Sequence, residues 1–576
     1  MSDARKNLEY WLTDDYFDAA TKAELEAIKD DDHEVEERFY KELEFGTGGL
    51  RGVIGAGLNR MNIYTVRKAT QGLANYILKN GDAVKGVAIS FDCRRMSPEF
   101  ADETALTLAA NGIKAYVFES LRPTPELSFA LRELHCQAGV MITASHNPPE
   151  YNGYKAYWED GAQVTPPHDK GIITEVKAIT DFHDVKTMDK DEAVKAGLYE
   201  VIGQAIDDKY MAALQEQIIH QDAIDATAGD LKIVYTPFHG TGLMPVKRVL
   251  SELGFKHVFV VPEQEEPDPE FTTLDYPNPE DEKAFEYALR YAKEQDADIV
   301  MATDPDADRL GVYAKDTKTG EYVAFTGSMS GMLIAEYVLR ERTATNTMVK
   351  DPAFVTTIVT TNLARAIAEH YGCTYIETLT GFKYIGEQIK LFEQNGSHHY
   401  AFGLEESYGC LVGTHARDKD AIVAVMMLSE LAAFYKKEGK TLWDAMIDIY
   451  EKYGYYKEGQ YSITMKGIEG AAEIEALMNK FRTAPPEKFG DWTVEEFRDY
   501  KSGECKNLQT GALSSTGLPE SNVLYFALDN DAWCCARPSG TEPKIKFYMG
   551  VKGKSLEDAD ALLEKLTAAV KQAIEA

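Results

Sequence analysis

Three things are scarce in this 576-residue chain, and each scarcity excludes a class of protein. The seven cysteines include no CxxC pair and are irregularly spaced, which argues against a disulfide framework and predicts free thiols in a reducing compartment. Apolar runs are short, since 421–428 falls far below the roughly 18 residues that a membrane span needs. The charged N-terminus has no secretory apolar stretch. We therefore expect a cytoplasmic protein with no membrane partner.

Positive charge is the third scarce feature. Lys and Arg number 61 against 94 Asp and Glu, so the formal net charge is −33. Such a surface repels nucleic acid and anionic membranes, and neither is expected as a partner. An anionic substrate would need a local cationic patch. The hydrophobic fraction of 44% is ordinary, so a large core can form without disulfides. The sequence leaves open whether the chain is a monomer or a dimer.

Short apolar runs alternate with longer amphipathic stretches after a helical first ~45 residues, which predicts α/β layers with largely parallel strands. Turn-like or polar stretches at 192–210, 315–322 and 450–459 suggest four domains, 1–205, 206–318, 319–452 and 453–576. Residues 263–282 are rich in Pro, Asp and Glu and are predicted to form a long loop. Ser555 and Asp558 predict a capping box. Strands are expected at 87–91, 138–143, 231–235, 299–303, 400–403 and 531–536, and helices at 279–296 and 419–437.

Four loops rich in chemically active side chains follow predicted strands. Ligands of parallel α/β sheets bind at the carboxyl ends of strands, so these loops are expected to form the walls of one cleft. The first loop, 143–149, carries Ser145 beside His146. A serine at the end of a buried strand is well placed to act as a nucleophile, with a neighbouring histidine to handle protons. The alternative is a plain turn, for which Ser-His-Asn-Pro is also suited.

The second loop places carboxylates at alternate positions, Asp304, Asp306 and Asp308. In an extended segment they project to one side and repel one another, so they require a cation, and oxygen ligands suit Mg²⁺. A calcium EF-hand is excluded because its sixth and twelfth loop positions require Gly and Glu, whereas this chain has Arg309 and Lys315. A solvated acidic turn is the alternative.

The third and fourth loops suit a sugar and an anion. Glu405 and Ser407 can hydrogen-bond sugar hydroxyls, although a solvated acidic turn is the simpler interpretation of that loop alone. In 537–544, Arg537 offers a planar fork for phosphate oxygens, and Ser539, Gly540 and Thr541 can complete an anion nest. A plain hairpin connection is the alternative there.

Taken in order, the Ser-His-Asn-Pro, Asp-Pro-Asp-Ala-Asp-Arg, Glu-Glu-Ser and Arg-Pro-Ser-Gly-Thr-Glu-Pro stretches resemble the α-D-phosphohexomutase superfamily. The similarity runs from 45 to 548 and is to the phosphoglucomutase/phosphomannomutase branch of the phosphoglucomutase-2-like kind. It implies an α/β fold of three related αβ domains with mixed or parallel sheets, plus a smaller α+β C-terminal domain like the TATA-binding protein, around a central cleft.

The resemblance also implies roles for individual residues. Ser145 would be the phosphoserine in the first domain and would join Asp304, Asp306 and Asp308 as a ligand of Mg²⁺ held by the second. Sugar hydroxyls would contact the third domain and the non-reacting phosphate the fourth. The substrate-binding residues so implied are Arg309, Glu405, Ser407, Arg537, Ser539, Gly540 and Thr541.

Further positions match the superfamily less distinctively. Arg51, in Gly-Leu-Arg-Gly, resembles its early active-site arginine, and Lys155 resembles a lysine near the phosphoserine. Lys419 resembles a proton-handling lysine and His415 a histidine close to it, with surface salt-bridge partners as the alternative for both. His146 and Lys419 are both candidates to accept the proton of the sugar hydroxyl.

Two departures from the family pattern are visible. The usual Asp-Gly-Asp-Gly-Asp-Arg loop has Pro305 and Ala307 in place of its glycines, which stiffens the loop and disfavours φ > 0. Tyr408 lies between Ser407 and Gly409, which bears on the choice of sugar.

The expected activity is interconversion of α-D-glucose 1-phosphate and glucose 6-phosphate, with Mg²⁺ as cofactor and a hexose 1,6-bisphosphate as intermediate and activator. A phosphomannomutase, a phosphopentomutase or a glucose-1,6-bisphosphate synthase could carry the same loops. A non-catalytic sugar-phosphate sensor is the alternative from another class, and the presence of Ser145 and the Asp triplet argues against it.

Overall fold

The computed structural model describes residues 2–45, 49–465, 467–539 and 544–575. The chain forms two compact units. Unit 1 comprises Met1–Thr326, Ile385–Gly396 and Tyr408–Leu442, and unit 2 comprises Gly327–Tyr384, Ser397–Ser407 and Trp443–Ala576. No helix within the described ranges is both long and apolar enough to cross a membrane.

The helices are amphipathic or fully buried segments, many of them started by a side-chain cap. In chain order they are α1 (Asp3–Thr13), α2 (Ala19–Ile28), α3 (Asp32–Phe39), α4 (Ile63–Asn80), α5 (Ser97–Ala110), α6 (Thr124–Glu133), α7 (His168–Ala178), α8 (Lys190–Lys195), α9 (Gln204–Gln215), α10 (Gln221–Thr227), α11 (Leu243–Glu252), α12 (Pro262–Glu265), α13 (Glu286–Gln295), α14 (Gly327–Ala344), α15 (Leu363–His370), α16 (Phe382–Asn395), α17 (Ala421–Lys437), α18 (Leu442–Tyr453), α19 (Gly467–Thr483) and α20 (Leu556–Glu575). Short 3₁₀ helices lie at Ala83–Lys85, Phe182–Asp184 and Glu282–Phe285.

The strands are mostly short and buried on both faces in the first part of the chain. In chain order they are β1 (Gly49–Val53), β2 (Val87–Phe91), β3 (Ala115–Phe118), β4 (Ala138–Ile142), β5 (Tyr151–Trp158), β6 (Tyr199–Ile202), β7 (Lys232–Thr236), β8 (His257–Val260), β9 (Ile299–Thr303), β10 (Leu310–Lys315), β11 (Tyr322–Phe325), β12 (Pro352–Thr357), β13 (Thr374–Thr378), β14 (His399–Glu405), β15 (Gly409–Leu411), β16 (Tyr455–Thr464), β17 (Lys488–Phe489), β18 (Trp492–Asp499), β19 (Glu504–Asn507), β20 (Leu513–Ser515), β21 (Leu524–Leu528), β22 (Trp533–Pro538) and β23 (Lys544–Gly553).

Unit 1 contains two mixed sheets. The first has the strand order β1-β5-β4-β2-β3-β6, in which β2, β3, β4 and β6 are parallel and β5 is antiparallel to β4. The second has the order β11-β10-β9-β7-β8, in which β7, β8 and β9 are parallel. The carboxyl ends of β4 and β9 carry the Ser145 and Asp304 loops, as the strand-end argument requires.

Unit 2 joins a parallel and an antiparallel sheet. β12 lies between β13 and β14, and all three are parallel. The C-terminal sheet is antiparallel, with the order β16-β23-β22-β21-β18-β19-β20 and β17 paired to β18. Its apolar face packs against α19 and α20. A β-rich C-terminal domain after three αβ layers agrees with the predicted fold class.

Most predicted elements are present, with corrected bounds. The strand predicted at 299–303 is β9, and the strand predicted at 531–536 is β22, which begins two residues later. The helix predicted at 279–296 starts only at Glu286 because Asp281 accepts a hydrogen bond from the backbone N–H of Lys283 and starts a tighter 3₁₀ turn. The predicted loop 263–282 overlaps the one-turn helix α12.

The last helix departs from the predicted capping box. Ser555 accepts from the backbone N–H of Asp558 at 3.2 Å, as predicted, but the Asp558 carboxylate accepts from Lys554 rather than from Ser555. The seven cysteines are free thiols, six of them buried and Cys93 partly exposed. The four predicted domain ranges stay predictions.

Candidate active site

Ser145 lies at the end of β4 in a buried, left-handed conformation. Its φ is 54°, and 3% of the residue is exposed. The Oγ hydroxyl donates to Oδ2 of Asp304 at 2.9 Å and lies 3.3 Å from Nδ1 of His146. The loop after β4 and the loop after β9 therefore meet at a serine hydroxyl. The interpretation of 143–149 as a plain turn does not account for this contact.

The three aspartates after β9 are buried together. Asp304 and Asp306 have no exposed surface and Asp308 has 1%. One oxygen of Asp304 accepts from the backbone N–H groups of Asp308 and Arg309 at 3.1 and 3.0 Å, which folds the loop around that carboxylate. A solvated acidic turn is thus wrong for this loop.

The same loop corrects a prediction about its backbone. Pro305 and Ala307 were expected to disfavour a positive φ, yet Ala307 has φ 51°. Its backbone N–H donates to the carbonyl of Asp304 at 2.9 Å, and its carbonyl accepts from Ala421 at 3.2 Å. These contacts hold an alanine in a region that costs a non-glycine residue roughly 1–2 kcal/mol.

Two lysines lie against the triplet. Nζ of Lys155 is 2.6 Å from Asp306 and 3.3 Å from Asp308, and Nζ of Lys419 is 3.1 Å from Asp308. Burial works against ionisation, but Lys155 lowers the pKa of Asp306 below its usual range. Burial and the two neighbouring carboxylates instead raise the pKa of Asp304 well above its usual range. The raised pKa of Asp304 shows that the neighbouring cations do not fully offset the burial of three carboxylates.

The arrangement fits a divalent cation. One oxygen from each of the three carboxylates lies within 4.8 Å of the others. The Oδ1 atoms of Asp306 and Asp308 are buried and accept no hydrogen bond from any described residue. Buried acceptors of this kind need a partner, and hard oxygen ligands suit Mg²⁺. The triplet can therefore hold Mg²⁺, with the Ser145 hydroxyl beside it.

Other predicted residues surround this cluster in unit 1. Arg51 on β1 donates to the side chain of Asn147 at 3.0 Å, two residues beyond Ser145. Arg309 pairs with Glu280 at 2.7 Å. Burial, Arg309 and Arg51 lower the pKa of His146 to about 2, so its imidazole is neutral.

The side chains of Lys419 and His415 are only 12% and 4% exposed, unlike those of surface salt-bridge partners. Nε2 of His415 lies 2.7 Å from Asp420, whose other oxygen caps α17 by accepting from two backbone N–H groups. Lys419 directly precedes this capped helix start, and its Nζ is also 3.5 Å from Asp418. Asp418 in turn accepts from the phenol of Tyr157 at 2.9 Å. The cap and these contacts fix where Lys419 points.

In unit 2, β14 ends in a second group of acids. Glu405 is buried and accepts from the hydroxyl of Ser407 at 2.8 Å. Glu406 accepts from the hydroxyl of Thr357 at the end of β12, also at 2.8 Å. Burial and the adjacent Glu405 raise the pKa of Glu406 to about 7. This loop is not a solvated turn.

The Arg537 loop joins two antiparallel strands. Arg537 lies on β22 opposite Lys546 of β23, and the backbone N–H of Ser539 donates to Lys544 at 2.7 Å. β22 and β23 are therefore adjacent antiparallel strands, as the hairpin interpretation expects. Gly540 and Thr541 lie outside the described residues, and the anion-binding role of this loop stays a prediction.

Several contacts at the cluster come from residues that the sequence analysis did not single out. Thr124 donates its hydroxyl to Asp306 at 2.8 Å and its backbone N–H to the carbonyl of the same residue. Asp92 and Arg94 follow β2, which runs parallel beside β4. The strand at 87–91 was predicted, so the strand-end argument applied to it could have found both residues.

The chain matches three sequence models of one protein family. They describe the α/β/α domains I, II and III of phosphoglucomutase/phosphomannomutase and match residues 42–183, 208–319 and 326–453. A phosphoglucomutase of Staphylococcus epidermidis is 36% identical over 542 residues, which cover 93% of this chain and 95% of that protein. The chain belongs to the phosphoglucomutase/phosphomannomutase family. As a member of this family it is an intramolecular phosphotransferase of the α-D-phosphohexomutase superfamily.

Another phosphoglucomutase and two solved structures are also similar to this member of the phosphoglucomutase/phosphomannomutase family. A phosphoglucomutase of Staphylococcus aureus is 35% identical over 527 residues, covering 92% of this chain and 93% of that protein. The open form of the phosphoglucomutase pp63/parafusin from Paramecium has a TM-score of 0.66 at 18% identity and covers 92% of this chain and 95% of its own. A phosphoglucomutase/phosphomannomutase family protein from Burkholderia thailandensis has a TM-score of 0.63 at 19% identity, covering 93% and 98%. The two structures support the predicted fold.

Proposed function

We propose that this chain is a phosphoglucomutase that interconverts α-D-glucose 1-phosphate and glucose 6-phosphate through a phosphoserine at Ser145. The observation that carries the proposal is the 2.9 Å contact between the Ser145 hydroxyl and Asp304, inside a buried triplet of carboxylates that fits Mg²⁺. A hydroxyl held beside a divalent cation is the geometry that phosphoryl transfer requires.

In this mechanism phosphorylated Ser145 transfers its phosphoryl group to the free hydroxyl of a hexose monophosphate. The bond from Oγ to phosphorus breaks as the bond to the sugar oxygen forms, and a hexose 1,6-bisphosphate results. After the bisphosphate turns around, its other phosphoryl group returns to Ser145. Added bisphosphate would therefore phosphorylate Ser145 and act as an activator.

Positive charge around Ser145 stabilises the transferring group. Asp304, Asp306 and Asp308 would hold Mg²⁺, which when bound withdraws charge from phosphoryl oxygens. Lys155 supplies a fixed cation, because Asp306 and Asp308 raise its pKa above the ordinary lysine value against the opposing effect of burial. Lys155 thus stays charged and can bind a phosphoryl oxygen in the transition state.

The proton of the sugar hydroxyl needs an acceptor, and two side chains are candidates. His146 offers a neutral imidazole next to Ser145, whereas Nζ of Lys419 lies 3.1 Å from Asp308 and 3.5 Å from Asp418. Substituting each separately distinguishes them. Loss of the acceptor lowers kcat, roughly 10²- to 10⁴-fold for a general base, while loss of a phosphate-binding cation also raises KM.

Unit 2 supplies the groups expected to recognise the sugar and its second phosphate. Glu405 and Ser407 can accept from and donate to sugar hydroxyls. Arg537 and Ser539 can bind a phosphate, with the backbone of Gly540 and Thr541 completing the grip. Arg309 in unit 1 is a further proposed substrate ligand, and Arg51 is proposed as a catalytic arginine. We place the reaction in the cytoplasm, which the unpaired cysteines support.

A panel of sugar 1-phosphates tests the proposed function. Glucose, mannose and ribose 1-phosphate are compared with and without Mg²⁺, and with and without glucose 1,6-bisphosphate. We expect fastest turnover of glucose 1-phosphate, dependence on Mg²⁺ and stimulation by the bisphosphate. Faster turnover of mannose or ribose 1-phosphate would indicate a phosphomannomutase or a phosphopentomutase instead.

Intact-mass measurement distinguishes the remaining alternatives. A phosphoserine enzyme carries an adduct of about 80 Da that maps to Ser145 and disappears on reaction with glucose 6-phosphate. Release of free bisphosphate with an external phosphoryl donor would indicate a bisphosphate synthase. Absence of both turnover and adduct would indicate a sensor and overturn the proposal.

A further inference from the structure

The backbone of the Ser145 loop is held by a buried arginine for which the proposed reaction has no chemical step. The side chain of Arg94 has no exposed surface. Its two terminal nitrogens donate to four carbonyl groups of the loop and the strand after it. The acceptors are the carbonyls of Ser145 at 2.6 Å, Pro148 at 2.8 Å, Tyr151 at 3.1 Å, and Asn147.

A second contact fixes the nitrogen of the same residue. The hydroxyl of Thr143 donates to Oδ2 of Asp92 at 2.6 Å and accepts from the backbone N–H of Ser145 at 2.8 Å. Asp92 also lies 3.3 Å from Nε of Arg94 and accepts from the backbone N–H of Arg94 at 3.0 Å. The backbone N–H of Ser145 is therefore held by Thr143, and its carbonyl is held by Arg94. Thr143 donates to Asp92, which forms a buried ion pair with Arg94.

The loop after α12 also contacts this ion pair. The ring of Phe271, itself fully buried, lies 5.0 Å from the guanidinium of Arg94. The next arginine along the chain, Arg95, forms an ion pair with Glu270. His239 contacts the carbonyl of Glu266 and the hydroxyl of Thr273, both at 2.8 Å, and so fixes the two ends of the turn that carries Phe271.

These contacts matter because the backbone of Ser145 is strained. A non-glycine residue at φ 54° costs roughly 1–2 kcal/mol relative to the ordinary regions and persists only where its surroundings hold it. Loss of the hydrogen bond at the Ser145 N–H or at its carbonyl would let the backbone rotate and carry Oγ away from Asp304. A shift of about 1 Å in a reacting atom is enough to lower a rate about 100-fold.

We propose that Arg94, Asp92 and Thr143 form a positioning frame that holds Ser145 in its left-handed conformation, with Phe271 as its brace, and thereby sets the rate of phosphoryl transfer. The proposal rests on the proposed function of Ser145. None of the four residues touches the reacting atoms. Their loss should lower kcat and leave substrate binding nearly unchanged, unlike loss of a substrate ligand.

The test compares three threonine variants in the full chain. Thr143→Val keeps the shape but removes the hydroxyl that links Asp92 to Ser145, and Thr143→Ser restores a hydroxyl. Thr104→Val, which removes an equally buried hydroxyl bonded only within α5, controls for general loss of stability. Turnover of glucose 1-phosphate gives kcat and KM, and mass measurement gives the rate at which phosphorylated Ser145 loses its phosphoryl group to glucose 6-phosphate.

We expect kcat and the single-turnover rate of Thr143→Val to fall about 100-fold with KM changed less than about threefold. Thr143→Ser should recover most of the loss, and Thr104→Val should match the unmodified chain. A Thr143→Val enzyme with unchanged kcat overturns the frame while leaving the phosphoserine mechanism intact. Inactivity of the unmodified chain on every sugar phosphate removes the proposed function and the frame together.

A substitution of Phe271 provides a second test in case Thr143→Val does not fold. Phe271→Leu keeps every hydrogen-bonding group of the frame and removes the ring that lies against Arg94 and His239. A kcat at least about fivefold lower, again with little change in KM, supports the frame. An unchanged kcat in this variant contradicts it.

Discussion

Two groups of adjacent acids, one in each unit, follow buried strands but have different partners. The Asp304 triplet after β9 faces two lysines and keeps two buried oxygens without a hydrogen bond from the described residues. The Glu405–Glu406 pair at the end of β14 accepts hydrogen bonds from the hydroxyls of Ser407 and Thr357. The first group keeps buried acceptor atoms without a donor among the described residues, and the second accepts from two hydroxyl groups.

The difference shows that the same local pattern supports two chemistries. Buried carboxylate oxygens without a hydrogen-bond donor are suited to a cation, because an unpaired buried acceptor costs free energy. Carboxylates beside hydroxyls are suited to neutral hydroxylated ligands, because one hydroxyl can replace another. Neither outcome can be recognised from a run of acids alone.

Removal of a hydroxyl next to each acidic group gives the largest expected contrast. Ser145 and Ser407 each donate to a carboxylate, at 2.9 and 2.8 Å. Ser145→Ala should lower kcat by about 10⁴-fold or more and abolish the phosphoryl adduct, because it removes the proposed nucleophile. Ser407→Ala should lower kcat/KM only about 10- to 100-fold, because it removes one neutral hydrogen bond to the sugar. Equal losses in the two variants, measured by turnover and intact mass, would contradict the assignment of Ser145.

The second-largest contrast between the two acidic groups should be in their response to Mg²⁺. Mg²⁺ at about 100 times its Kd should stabilise the unmodified chain by about 2.7 kcal/mol, seen as a rise in Tm. Asp306→Asn should lose this rise and lower kcat about 10²- to 10³-fold, because it removes one ligand.

Glu406→Gln is the matched control, since it removes one charge from the other acidic group and should keep the rise. The same Mg²⁺ response in Asp306→Asn as in the unmodified chain would contradict a metal site at the triplet.

Glu406 should contribute to the pH dependence of stability. Burial and Glu405 raise the pKa of Glu406 to about 7, from an ordinary value of 4.5. Between these values the folded chain holds a proton that the unfolded chain has lost, so the free energy of unfolding falls as pH rises, by up to about 3 kcal/mol. Glu406→Gln should remove the contribution of Glu406 to this fall, as measured by denaturant unfolding at about pH 5 and pH 8.

Glu458→Gln provides the comparison. Burial raises the pKa of Glu458 to about 7 without an adjacent acid as a cause. Its variant should flatten the pH dependence to a similar extent. A Glu406→Gln variant with the full pH dependence of the unmodified chain would show that the carboxyl group of Glu406 does not keep its proton on folding.

The smallest effect concerns the backbone of the metal loop. Ala307→Gly relieves the backbone strain of the left-handed conformation in the folded chain, but it also raises the conformational entropy of the unfolded chain. These two effects on the free energy of unfolding nearly cancel. We expect a change below about 1 kcal/mol in the free energy of unfolding, against a loss of about 1–2 kcal/mol for Ala302→Gly, which lies in β9 with ordinary strand dihedrals. Equal losses by denaturant unfolding would mean that Ala307 stores no strain.

Much of the fold could be predicted because it follows from local pattern. The strand at 299–303 and the parallel αβ layers were evident from short apolar runs between amphipathic stretches. The errors lie at element ends, where one side chain decides, as Asp281 does before α13. For the site, the sequence named Ser145 and the three aspartates. It missed Thr124, because the separation of Thr124 from these residues along the chain follows no recognisable motif.

The amino-acid sequence by itself determined which segments become strands and helices and which loops carry acids, hydroxyls and arginines, since hydrophobic periodicity and loop composition act over a few residues. Only the tertiary structure decided which atoms pair. Lys155 reaches Asp306 across 151 positions of the chain, and Arg94 reaches the carbonyl of Ser145 across 51. Such contacts depend on strand order and loop backbone, and whether a carboxylate keeps a spare oxygen or meets a hydroxyl is settled only when the sheets are packed.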